Sequence, residues 1–111
     1  MRLSLALLLI FSVYCRSAAA YNERQEAVMT GIVVVIAGAQ LCQNSSVNIK
    51  AIAGIMFLSG LDNAEAQQEI MRRATDVVLS AKHPPSQFAC DVILDSYGPN
   101  GKTAKNLLIP K

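Results

Sequence analysis

Between Glu26 and Gln43 lie sixteen residues without a charge, and the segment from Val28 to Leu41 is apolar on nearly every side. Such a segment has to be buried, and few arrangements of a short chain can bury it. Its centre, Ile32-Val33-Val34-Val35-Ile36, taken alone has the β-branched composition of a buried strand. The whole segment is longer than a normal strand. It is entered through Asn22 with Gln25 three positions on, a capping-box spacing, and it carries Gly31, Ala37 and Gly38 as small faces for close packing. A first helix running to about Cys42 is therefore expected, and a helix apolar all round is expected to be the central one. A membrane span needs about 20 apolar residues. The segment falls short of that and is interrupted by Thr30 and Gln40, so no stable span is expected in the mature form.

The 111-residue chain is 52% hydrophobic and only 16% charged, which excludes a disordered or polybasic tail as its dominant character. Part of the apolar content sits ahead of the first helix. Arg2 is followed by an uncharged run from Leu3 to Val13 and then by Ser17, Ala18, Ala19 and Ala20, the three parts of a secretory signal peptide. Ala18 and Ala20 fit the Ala-x-Ala cleavage preference, so residues 1–20 are expected to be removed and the mature chain to start at Tyr21. Cys15 follows a hydrophobic run, as a lipid-bearing cysteine does, but bulky Tyr14 precedes it, and it is expected to leave with the leader. Loss of Arg2 and Arg16 reduces ten basic residues to eight against eight acids, so the +2 of the precursor disappears. A neutral chain with Tyr21, Phe57, Phe88 and Tyr97 as its aromatic residues offers no footprint for nucleic acid.

The mature chain keeps two cysteines, Cys42 and Cys90, and an exported protein meets oxidising surroundings in which one pairing is available. A bridge across so long a loop stabilises a fold by about 4 kcal/mol in the chain-entropy account. It would tie the end of the first helix to the early turns of the last. With no Cys-x-x-Cys and no neighbouring histidine, neither a redox centre nor a metal site is expected.

Ser45 or Ser46 is expected to cap a second helix ending near Gly60, with Ile49, Ile52, Ala53, Met56 and Phe57 turned inward. Asn44-Ser45-Ser46 also matches a glycosylation acceptor and is taken as the capping loop. Asp62 with Glu65 predicts a capping box for a third helix, from about Asn63 to Lys82. Its buried face is expected to hold Ile70, Met71, Ala74, Val77, Val78 and Ala81, with Glu69–Arg73 and Arg72–Asp76 as i, i+4 pairs on the solvated side. His83-Pro84-Pro85 stops it, and Pro85 opens a fourth helix that presents Phe88, Ala89, Val92, Ile93 and Tyr97 to the core and ends at Gly98-Pro99. The expected architecture is thus a small all-α, four-helix domain over residues 21–101, stapled by one disulfide. A short tail, 102–111, carries Leu107-Leu108-Ile109, either docked or left for a partner.

Residues for catalysis are not assembled by this pattern. His83 is the only histidine and sits beside prolines at a helix C-terminus, a position that suits its charge to the helix dipole. Glu65, Glu69 and Asp76 belong to a charged face, and no phosphate loop, dinucleotide fingerprint or zinc spacing occurs. No catalytic, cofactor-binding or metal-ligating residue is therefore nominated. A leader, a helical body and one long-range cysteine pair resemble, in architecture and cysteine count alone, small periplasmic helical proteins such as acid-stress chaperones and immunity proteins of secreted toxins. No motif of those families carries a residue role over to this chain.

The sequence points first to a secreted or periplasmic, non-enzymatic protein that binds another envelope or secreted protein, or itself. Apolar surface on helix one or the 107–109 tail is the expected contact, because the apolar excess is large for a core of this size. The alternative is a carrier that holds a lipid or small apolar ligand between helices in space left by Gly31, Gly38 and Gly54.

Overall fold

A computed structural model describes residues 21–111; the expected leader, with its cleavage site and Cys15, lies outside the described residues. The element that organises the rest is α1 (Glu23–Cys42), which packs against all the other helices it touches and against the small sheet. Asn22 accepts from the Gln25 amide while the Gln25 side chain accepts from the Asn22 amide, so the expected capping box is formed. Gln25 does a second job. Its side-chain amide donates to the Ser59 carbonyl at 3.0 Å, pinning the start of α1 to the end of the next helix. Met29, Ile32, Val33, Val35, Ala37 and Gly38 are buried, so α1 is the core helix that its all-round apolarity predicts. By length and composition alone it is also long and apolar enough to cross a membrane.

The fold is mostly helical, with four helices among the described residues, but it is not purely α. Ser45–Val47 forms β1 and Leu108–Pro110 forms β2, paired antiparallel with Ser45 opposite Pro110 and Val47 opposite Leu108. This corrects the expected cap. Ser45 is buried in a strand rather than opening a helix, and Asn48 caps α2 (Ile49–Leu58) instead by accepting from the Ala51 amide. Asn48 also donates from its side chain to the Asn106 carbonyl at 2.8 Å and from its backbone to Leu107, so one residue serves both the helix and the returning tail. Of the two fates open to the tail, docking is the one taken. Leu107 and Leu108 enter the core beneath α1 while Ile109 faces out.

A Schellman motif ends α2: the Gly60 amide donates to Phe57 and the Leu61 amide to Met56, with Gly60 at φ +70 and Leu61 fully buried. Asn63, not Asp62, caps α3 (Ala64–Ser80), and Ala66, Ile70 and Ala74 form its buried stripe. Met71, Val77 and Ala81, expected inside, are exposed, because α3 packs mainly on α1 and no other element covers its flank broadly. Ser86 caps α4 (Gln87–Tyr97), one residue beyond the expected proline start. Its inward side is Cys90, with Ile93, Leu94 and Tyr97 half-buried; Phe88 and Val92 point to solvent, a correction with the same cause. Cys42 and Cys90 form the disulfide, Cα to Cα 5.6 Å, and lock the last residue of α1 to the first turn of α4.

The Pro99-Asn100-Gly101 turn folds tightly back on α4. A Cβ on Gly101 would collide with the carbonyl oxygens of Ala104 and Ser96, so only glycine fits there. The amides of Lys102, Thr103 and Ala104 donate to the exposed carbonyls at the end of α4, which satisfies that terminus and aims the tail at β1.

Candidate functional site

Three surface features remain once the core is accounted for. The first is the outer face of α2. Turned at 100° per residue, the helix buries Ile52 and Met56 and half-buries Ala51 and Ile55. Ile49, Ala53 and Phe57 make one exposed row at i, i+4 and i+8, and Lys50, Gly54 and Leu58 make the row beside it. Ile49 is 77%, Phe57 69% and Leu58 84% exposed, with Lys50 the single charge. The inward stripe expected of α2 is thus rotated, so that Ile49, Ala53 and Phe57 leave the core and only Ile52 and Met56 keep to it. Leu79 of α3 and Phe88 of α4 are as bare as these, but α2 is the element that gathers three such side chains, Ile49, Phe57 and Leu58, on adjoining rows of one short helix. On helix one only Val34 among the large apolar side chains is exposed, and the tail leucines are inside.

The second feature is a half-open apolar cavity of about 370 Å³ at the N-terminal half of α1. Arg24, Ala27, Val28 and Gly31 of α1 form one wall; Ile55 of α2, Tyr97 of α4, and Thr103, Ala104 and Leu107 of the tail form the others. Of the three glycines expected to leave space, only Gly31 does so in the interior. A Cβ there would come no closer than 3.8 Å to the Tyr97 hydroxyl, whereas Gly38 is already filled by Ile93 at 3.1 Å and Gly54 faces open solvent.

The third is polar. Arg73 makes a two-pronged contact with Glu26 across the α1–α3 seam, Nη1 to Oε2 at 2.9 Å and Nη2 to Oε1 at 3.2 Å, and donates from Nε to Glu69 at 2.9 Å. Arg72 grips the same Glu69 with Nε and Nη2 and reaches Asp76 with Nη1. The hydrogen bonds from Arg72 and then Arg73 push the Glu69 carboxyl down to about 2, and the Arg73 hydrogen bonds hold Glu26 low as well. Tyr21 stands at the edge of the same hollow, with its phenol raised by burial and by the carboxylates of Glu65 and Glu69. Both i, i+4 pairs of the sequence are present, and Glu26 joins them. Its partner lies 47 residues away, so spacing within one helix could not reveal it. Every acid and base of this network neutralises another, which is the chemistry of a clasp between helices.

His83 is exposed in the α3–α4 loop beside Gln40, Leu41, Gln43 and Lys82, with no carboxylate or hydroxyl nucleophile lining that hollow. Among the described residues no group of three or more His, Cys, Asp or Glu side chains is gathered as for a metal ion. Comparison with known proteins adds no relative: no family model, no curated protein and no solved structure matches this chain. Sequence reasoning expected space at Gly31, Gly38 and Gly54, of which the cavity keeps only that at Gly31; the second feature, the unpartnered face of α2, escaped it. The even distribution of apolar residues around Ile49–Leu58 was the available signal for the second, since a helix greasy on all sides must either be enclosed or leave one side bare.

Proposed function

We propose that this chain is an exported, non-enzymatic protein-binding module whose contact surface is the outer face of α2. The observation that carries this reading is the double row Ile49-Ala53-Phe57 and Lys50-Gly54-Leu58, apolar but for one lysine and almost wholly exposed. Helix-in-groove recognition uses anchors at such spacings, and large exposed apolar side chains on a small domain mark an interaction surface. Export is supported by the signal-like residues 1–20 and by the Cys42–Cys90 bridge, a bond that oxidising compartments maintain. The partner is a second protein of that compartment with an apolar groove; self-association is the other arrangement the same face allows.

Site-specific photo-crosslinking tests the reading. A photoreactive phenylalanine analogue at Phe57 is expected to give a discrete adduct in producing cells, and the same group at exposed Lys102, beyond α4, none. A protein that is strictly monomeric by light scattering and forms no adduct at position 57 contradicts it.

A second reading is favoured by the cavity at Gly31: the protein carries a small apolar ligand between α1, α4 and the tail. Ligand pockets occupy about 300–1,000 Å³, and the 370 Å³ cavity is lined mainly by apolar groups.

A further inference from the structure

We infer that the ligand of the Gly31 cavity is a small amphiphile with a single anionic head, of the medium-chain carboxylate class, held with its chain between α1 and Tyr97 and its head at Arg24. The inference deepens the carrier reading and rests on it. The cavity body is apolar, formed by Ala27, Val28, Ile32, Ile55 and Leu107, and suits a hydrocarbon chain. Its polar side chains are Arg24, Tyr97, Thr103 and Thr30, whose hydroxyl already donates to the Glu26 carbonyl, and Arg24 is the one charge among them. Arg24 stands on the same face of α1 as Ala27, Val28 and Gly31, at i, i+3, i+4 and i+7, and so marks one end of that wall.

Arg24 differs from the other arginines of the described residues. Arg72 and Arg73 are each engaged by two carboxylates, while Arg24 forms no ion pair with any described residue. A guanidinium offers a planar fork that matches a carboxylate, so the charge of the site selects an anion. The Tyr97 hydroxyl, on the facing wall, likewise has no hydrogen-bond partner among the described residues. No carboxylate lines the cavity to compete for either donor.

Gly31 explains why space exists there at all. It lies within a helix, where glycine is poorer than alanine, and neither a positive φ nor a close neighbour requires it. A larger side chain at that position would project toward Tyr97 and occupy the volume that a ligand chain would take. The cavity is closed on its far side by Leu107 and Ala104, so the docked tail is part of the site.

Isothermal titration of the purified protein with decanoate, below its micellar concentration, tests the inference, with decanol as the uncharged probe. Saturable one-to-one binding of decanoate is expected, with decanol weaker. Arg24→Gln is expected to weaken decanoate about tenfold and leave decanol unchanged, the size of one charge-assisted hydrogen-bonding group. Gly31→Leu should abolish both while the helical circular dichroism and the Tm are retained; if that variant fails to fold, Gly31→Val serves as the smaller plug. Phe57→Asp, on the α2 face, should leave binding unchanged. Equal binding of decanol and decanoate, insensitive to Arg24→Gln, overturns the anionic head and leaves the carrier reading standing. Absence of binding by either probe overturns both, as does binding that Gly31→Val leaves intact. Uptake only with phosphatidylcholine and phosphatidylglycerol vesicles, and never of free decanoate, also counts against the inference, because the site proposed takes a single molecule.

Discussion

Two helices of this protein, α1 and α2, are both rich in apolar residues around their circumference, yet of the large apolar side chains α1 leaves only Val34 exposed while α2 leaves Ile49, Phe57 and Leu58. The difference lies in their neighbours. α1 lies between α3, α4 and the sheet, while α2 leans on the core through Ile52 and Met56 and is held mainly at its ends, by Asn48 to the tail and by Ser59 to Gln25. Apolar composition states that a surface seeks cover; it does not state whether the same chain supplies it. In α1 the fold supplies it, and in α2 the proposed partner does.

The largest expected effect concerns what holds α1 in place. Replacing both Cys42 and Cys90 by Ala should cost about 4 kcal/mol, from the loop-entropy account of a bridge spanning 48 residues. Urea unfolding measures it, and a loss below about 1 kcal/mol would show that packing alone fixes α4 on α1. Truncating Ile32 to Ala in the buried centre of α1 should cost about 2–5 kcal/mol, whereas Phe57→Ala on the exposed row of α2 should stay within about 0.5 kcal/mol.

Acid should loosen the α1–α3 seam before it touches α2. Glu69 is depressed from 4.5 to about 2, and Glu26 is lowered too, so both carboxylates favour the folded state when ionised. The stability they contribute is present above about 4.5 and is lost as pH falls toward 2. Arg73→Gln is expected to flatten that part of the stability–pH curve measured by urea titration. An unchanged acid limb in the variant would mean that the clasp does not couple folding to protons.

A smaller contrast comes from a pair of glycines. Gly38→Val on α1 meets Ile93 and should lose about 1–3 kcal/mol by overpacking, while Gly54→Ala on α2 meets nothing within 4 Å and should gain about 0.5–1 kcal/mol through helix propensity. Opposite signs in thermal unfolding would sharpen the contrast between the helices; two losses would mean that α2 is covered as well.

Much of this arrangement is legible in the residues. Asn22 with Gln25, the apolar run to Cys42, the end of α2 near Gly60, and the Cys42–Cys90 pair all follow from local chemistry or from having one possible partner. Local signals failed where long-range contacts decided the outcome. Ser45 has the chemistry of a cap, but the returning tail gives its backbone a strand partner 65 positions away at Pro110, and Asn48 then takes the cap. Periodicity marked Met71, Val77, Phe88 and Val92 as apolar on a shared face and could not tell how wide the covering neighbour would be. The cavity belongs to the same class, because its walls come from α1, α2, α4 and the tail, and only Gly31 hinted at it.

The division of labour between the two apolar helices is tested most directly by one matched measurement, the urea unfolding free energy of Val35→Asp beside that of Leu58→Asp. Val35 is fully buried and Leu58 is 84% exposed, so the same buried-charge penalty should fall on one and spare the other. The expected result is collapse of the fold, or a loss of more than about 3 kcal/mol, for Val35→Asp and a change within about 0.5 kcal/mol for Leu58→Asp. A comparable loss at both positions would contradict the account, since it would place the outer face of α2 inside the folded chain.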